Sequence, residues 1–219
     1  MLMKKISLLL VLMMSVFTMS AQDGSHIGEF SGGVRGGATI SQISGDNLGG
    51  FHKVGATVGA FANCVLVDNP KFDMKLQMEL DFVMKGSHSY TPPKQVASLT
   101  GKYSLNLGYL EVPVLLRMRF ARITIRNSSD FDLELGPAFG VNIYHVERDM
   151  YGVIQGRPEF RRWELSMVVG LNYTFKDHHG IGLRYSNSIL SVRTPNWAVN
   201  RRISKQYSSV IYFTYSYQF

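Results

Sequence analysis

Residues 163–175, WELSMVVGLNYTF, change character at every step. Trp163, Leu165, Met167, Val169, Leu171, Tyr173 and Phe175 fall on one parity, and Glu164, Ser166, Val168, Gly170, Asn172 and Thr174 on the other. Side chains alternate across a strand, so a period of two describes a ribbon with one apolar face and one mostly polar face. Thirteen such residues in a row are long for a soluble strand, which averages five or six, but suit a tilted crossing of a bilayer, for which about 9–11 residues suffice.

The pattern recurs along the chain. Residues 72–85 set Phe72, Met74, Leu76, Met78, Leu80, Phe82 and Met84 against Asp73, Lys75, Gln77, Glu79, Asp81, Val83 and Lys85. Residues 131–144 and 179–186 repeat it, and in 210–219 Ile211, Phe213, Tyr215, Tyr217 and Phe219 oppose Tyr212, Thr214, Ser216 and Gln218. Two Gly- and Ala-rich segments, 29–41 and 53–67, alternate more weakly, although Val54, Ala56, Val58, Ala60, Ala62, Cys64 and Leu66 form an unbroken apolar file. In 103–120 the apolar residues change parity, from Leu105, Leu107 and Tyr109 to Leu110, Val112, Val114, Leu116, Met118 and Phe120. A bulge near Tyr109 or Leu110 accounts for that change.

Eight strands of this kind predict an all-β fold, an eight-stranded antiparallel up-and-down transmembrane β-barrel. The competing reading is a soluble, lipocalin-like periplasmic barrel with its apolar face turned inward around a ligand. The second face decides between them. It is crowded with Gly, Ala, Ser, Thr and Asn and carries charges of both signs: Arg35, Asp73, Lys75, Glu79, Asp81, Glu111, Arg117, Asp132, Glu134, Glu164 and Arg184. Small residues and opposite charges suit the narrow bore of an eight-stranded barrel, whereas Trp, Tyr, Phe, Met and Leu suit a lipid-facing band with aromatic girdles.

Connection lengths agree with this assignment. Residues 67–71, 121–130 and 176–179 are read as short turns, with part of 121–130 extending the flanking strands. Residues 41–52, 86–101, 146–161 and 187–207 are longer. Short periplasmic turns and long outer loops are the outer-membrane rule.

The first residues, MLMKKISLLLVLMMSVFTMSAQ, place Lys4 and Lys5 before an apolar run from Ile6 to Phe17 and then small residues, the layout of a signal peptide. We therefore expect a signal segment at 1–21 and a barrel domain at 22–219. Cys64 is the single cysteine, so an intrachain disulfide is excluded. The net charge of +7 does not imply nucleic acid in an exported chain.

The chemistry-bearing residues are few. Adjacent His178 and His179 lack the further ligands of a metal site. GVRGG lacks the ending of a phosphate loop. His88 with Ser87 and Ser89, and His145 with Glu147, lie near the outer rim, but nothing in the sequence brings them together, so no enzyme and no cofactor are expected. The inward charges are read as a paired plug, since buried ions are costly unless paired. Arg161, Arg162, Arg193, Arg201, Arg202 and Lys205 lie at the outer level, where ordinary solubilising charge competes with contact to lipopolysaccharide phosphates, which Arg grips bidentately.

The segments GVRGGATIS, YLEVPVLLRM, ELGPAFGVN and GLRYS with the aromatic C-terminus together resemble the PorT-like outer-membrane β-barrel proteins common in Bacteroidetes. That resemblance implies location and architecture, and it adds a secretion or gliding accessory to the readings. Tyr215, Tyr217 and Phe219 resemble the closing aromatic signal by which the barrel assembly machinery recognises its clients. The expected function is a plugged outer-membrane barrel acting through long outer loops on outer-membrane lipids, lipopolysaccharide or a protein partner. A narrow porin is the alternative.

Overall fold

The computed structural model describes residues 27–45, 50–69, 72–89, 103–119, 129–149, 152–153, 160–176, 178–193 and 205–219. The expected signal segment, Arg201 and Arg202 lie outside them. Among the described residues nine strands follow in order: β1 (Phe30–Ser44), β2 (Lys53–Asn69), β3 (Phe72–His88), β4 (Ser104–Arg119), β5 (Ser129–Asp149), the two-residue β6 (Gly152–Val153), β7 (Trp163–Phe175), β8 (His179–Ser188) and β9 (Tyr207–Gln218).

Each long strand pairs antiparallel with its neighbours, and β1 pairs with β9 from Gly33↔Gln218 to Ser44↔Tyr207. The eight long strands therefore close into an up-and-down barrel, and closure removes the unpaired edges that a sheet otherwise exposes. β6 stands outside the closed ring, pairing only with the end of β5 through Arg148↔Val153 and Asp149↔Gly152. The described part of the turn after β7 is tight, with Lys176 at φ 52°.

The facing follows the alternation. Met78, Phe139, Trp163, Met167, Val169, Leu171, Leu183, Phe213 and Tyr215 are all exposed on the outside. Arg35, Glu79, Glu111, Arg117, Glu134 and Arg184 are buried inside. A barrel that turns its large apolar residues out and its charges in is a membrane barrel, which discards the lipocalin-like reading.

Two features differ from the sequence reading. β4 carries no bulge of its own. Leu105, Leu107, Tyr109, Glu111, Leu115 and Arg117 are all buried on one uninterrupted inward file, while Leu110 is exposed on the other parity. The register shift lies on the partner strand: Gly108 pairs with Tyr144 and Tyr109 with Asn142, leaving Ile143 of β5 as the extra residue. A second shift, between Val65 and Val67, sits at the turn end of β2. The bulge at Ile143 changes the inward parity of β5, so Asp132 and Glu134 face inward below it and Glu147 above it.

Apolar residues also enter the barrel, contrary to a purely polar inner face. Ile43, Leu105, Leu107, Tyr109, Phe160 and Val192 form a buried cluster at the loop end, with Tyr103 packed against it. The inner face is thus charged in its middle and apolar at its mouth. The small residues of the wall make room for the large charged ones: a Cβ on Gly170 would lie 2.5 Å from Cγ of Arg184.

Candidate functional site: the charged bore and its mouth

The inward charges pair in layers along the bore. At the turn end, Arg119 of β4 reaches Asp73 at 3.1 Å, Asp130 at 3.0 Å and Asp132 at 2.9 Å. Beside it, Arg117 donates to Asp132 and, at 2.8 Å, to the amide oxygen of Gln77. Lys75 stands 3.9 Å from Asp73 at this more open end.

At mid-height the layer is a knot of two arginines around one glutamate. Glu79 accepts from Nη1 of Arg35 at 2.5 Å and from both Nη atoms of Arg184 at 2.8 and 2.9 Å. The Nε of Arg184 turns to Glu134, and Arg35 also lies 3.8 Å from Asp81. Charge-assisted and forked contacts of this kind are the strong end of the hydrogen-bond range. They draw β1, β3, β5 and β8 together across the bore rather than around the wall.

Above the knot, Nζ of Lys85 donates to Glu111 at 2.7 Å and to Glu164 at 2.9 Å, and sits 4.1 Å from the centroid of the Tyr109 ring. The Tyr212 hydroxyl donates to Glu111 at 3.1 Å. This layer joins β3, β4, β7 and β9.

At the loop end a further set of contacts lies beyond these layers. The Tyr103 hydroxyl donates to Glu147 at 2.5 Å, Arg193 donates to Glu147 at 2.9 Å, and the Arg193 guanidinium lies 4.2 Å from the centroid of Phe160. The backbone N–H of Arg161 donates to the Val192 carbonyl at 2.8 Å. The described ends of three connections, those before β4, before β7 and after β8, are tied together here. Arg193 is therefore a correction to the expected outer-surface set, because Glu147 and Phe160 draw its guanidinium inward, where it is buried. Arg161, Arg162 and Lys205 are exposed at the loop end.

Among the described residues, a cavity of about 10 Å³ lies between Arg35, Gln77, Arg117, Glu134 and Arg184, on the scale of a single water. Nine of the eleven inward charges named from the sequence are buried, and the other two, Asp73 and Lys75, are partly exposed at the turn end. Lys85, Arg119, Asp130, Glu147 and Arg193 join the interior pairs and were not among them. Lys85 and Arg119 were legible by parity: each sits two residues along from an inward residue, Val83 and Arg117.

Three of the rim residues considered for catalysis are placed as follows. Ser87 is buried, Glu147 is held by Tyr103 and Arg193, and His145 tilts against Phe160 with 5.7 Å between ring centroids. His178 and His179 belong to the turn-end aromatic belt. Nδ1 of His178 lies 2.9 Å from the Gln218 carbonyl, and Nδ1 of His179 lies 2.5 Å from the Tyr215 hydroxyl. The His179 ring packs on Phe175 and against Tyr217. Among the described residues no group of three or more His, Cys, Asp or Glu is gathered as a metal site.

A closed eight-stranded barrel with an apolar exterior, aromatic ends and a charged bore defines a transmembrane barrel of the outer-membrane class. The chain belongs to the family described as outer membrane protein beta-barrel domain, whose model matches residues 20–192, and the protein is located in the outer membrane. No curated protein matches the chain. Among solved structures, Neisserial surface protein A is similar at 14% identity and a TM-score of 0.50, over 87% of this chain and 99% of that one. Ail, the attachment invasion locus protein of Yersinia pestis, is similar at 12% identity and a TM-score of 0.45, over 88% and 99%. The outer membrane enzyme PagL is similar at 8% identity and a TM-score of 0.42, over 87% and 98%. At these identities only the fold is read from the likeness.

Proposed function

We propose that this protein is a plugged, non-conducting and non-enzymatic outer-membrane barrel that serves as a rigid scaffold for its outer loops, with a structural or interaction role. The observation that carries this reading is the Arg35–Glu79–Arg184–Glu134 knot. It crosses the bore from four strands and leaves room for about one water beside it. Opening such a bore requires uncoupling buried charges, each costly to leave without a partner.

The mouth supports the scaffold half of the reading. Tyr103, Glu147, Phe160, Arg161, Val192 and Arg193 tie together the described ends of three connections. Chain ends tied together at the base of a connection lose less entropy on binding a partner. Lipopolysaccharide and a protein partner are the occupants that the outer position favours. The outward file of Tyr215, Tyr217 and Phe219 beside the closing seam suits recognition by the barrel assembly machinery. The resemblance to the PorT-like barrels supports a secretion accessory as a second reading, in which the same scaffold acts within a larger assembly.

Liposome swelling tests the plug. Vesicles carrying the folded protein should swell in small sugars no faster than empty vesicles. Swelling that falls with solute size would replace the scaffold with a narrow porin.

A further inference from the structure

Three buried polar atoms in and beside the knot have no hydrogen-bond partner among the described residues: Nε of Arg35, Nε of Arg117 and Oε1 of Glu134. Other atoms of the same side chains are engaged. Arg35 reaches Glu79 through Nη1, Arg117 donates to Gln77 and Asp132 through its two Nη atoms, and Glu134 accepts from Arg184 on Oε2. Nε of Arg117 and Oε1 of Glu134 stand 3.5 Å apart, close enough to attract but without a completed hydrogen bond. Most buried polar atoms in native interiors are satisfied, so three orphans in one neighbourhood point to a bridging group.

All three side chains line the same cavity of about 10 Å³, and Asn172, Thr214 and Ser216 line it from β7 and β9. The sequence makes room for it on β8. A Cβ on Gly182 would lie 2.7 Å from Oγ1 of Thr214, so that hydroxyl occupies space that an alanine would need. The lining then fixes the chemistry of the occupant. Two guanidinium N–H groups call for an acceptor, and the carboxylate oxygen calls for a donor. A halide accepts without donating, and a metal cation would face three guanidiniums, those of Arg35, Arg117 and Arg184. A dry void is also unsuited, because cavities that stay dry are lined by apolar residues.

We propose that this cavity is a binding site for one ordered water, which accepts from Nε of Arg35 and Nε of Arg117 and donates to Oε1 of Glu134. About three hydrogen bonds is the usual complement of a buried water. Its second hydrogen is left for the hydroxyl of Thr214 or Ser216. The water is thereby a structural member of the plug, joining Arg35 of β1, Arg117 of β4 and Glu134 of β5. This deepens the plugged-barrel reading and rests on it. Expelling the water would leave three buried polar atoms unpaired where the surroundings are poorest in alternative partners.

Nuclear magnetic resonance on the folded wild-type protein in lipid nanodiscs, with isotope-labelled arginine, tests the site without relying on a variant that must fold. Magnetisation should pass from water to the Nε protons of both Arg35 and Arg117. The transfer should have opposite signs in the laboratory and rotating frames, the signature of a long-lived bound water rather than of proton exchange. Absence of that transfer at the two protons would overturn the site. Crystals grown in bromide supply a second measurement. No anomalous-scattering peak is expected in the cavity, and a peak there would overturn water as the ligand in favour of a halide. Neither measurement reads conductance. A dry cavity in a non-conducting barrel would remove the water and keep the plug, whereas a bound water in a conducting barrel would do the reverse.

Discussion

Lys85 Nζ and Glu111 Oε1 meet at 2.7 Å in the middle of the barrel, both side chains almost completely shielded from solvent, with Glu164 2.9 Å from the same nitrogen. One ammonium thus holds two carboxylates from strands that are not neighbours of each other. Replacing Lys85 by Met should leave Glu111 and Glu164 without their cation and destabilise the barrel by about 3–5 kcal/mol. Urea unfolding in lipid vesicles, followed by tryptophan fluorescence, measures the loss.

The facing assignment makes a paired prediction. Leu171 and Leu183 are directly opposite across β7 and β8, both on the outside. Leu171→Arg or Leu183→Arg should each cost about 2–4 kcal/mol near the bilayer midplane. Ser166→Ala and Thr214→Ala, on the inside, should cost about 1 kcal/mol or less, since each removes at most a weak neutral contact. Refolding yields into vesicles separate the two pairs.

The latch at the mouth predicts a local effect. Arg193→Ala removes the 2.9 Å contact to Glu147 and the cation lying over Phe160. The barrel should keep its heat-modifiable gel mobility, while protease added from outside should cleave faster at the connections before β7 and after β8. Mass spectrometry of the fragments locates the cuts, and unchanged cleavage would mean that Arg193 does not hold the mouth.

Closure of the barrel is testable across its seam. Ala38 and Phe213 are register partners of β1 and β9. In a Cys64→Ser background, cysteines at both positions should form a disulfide on oxidation, because directly opposite strand residues fall within disulfide reach. The cross-linked chain should migrate differently from its reduced form after boiling.

The strands and their facing were legible because lipid and bore select residues at every position, so the pattern accumulates over many residues. The mouth was not legible in the same way. Leu105, Leu107 and Tyr109 are apolar whether they face lipid or a buried cup, and binary pattern does not distinguish the two environments. Their parity did carry the answer, since it is the parity of Glu111 and Arg117, which cannot face lipid. Reading β4 as bulged moved the irregularity to the wrong strand, when it belongs to Ile143 of β5. Arg193 was misplaced for another reason. Its partners, Glu147 on β5 and Phe160 just before β7, lie more than thirty residues away, and only the closed barrel brings them together.

The plug is the claim on which the proposed function stands, and single-channel recording in a planar bilayer tests it most directly. The folded wild-type protein should insert without stable conductance steps, while an Arg35→Ala/Arg184→Ala variant, if it folds, should leak. Stable, reproducible steps from the wild-type protein would contradict the proposal that the Arg35–Glu79–Arg184–Glu134 knot closes the bore.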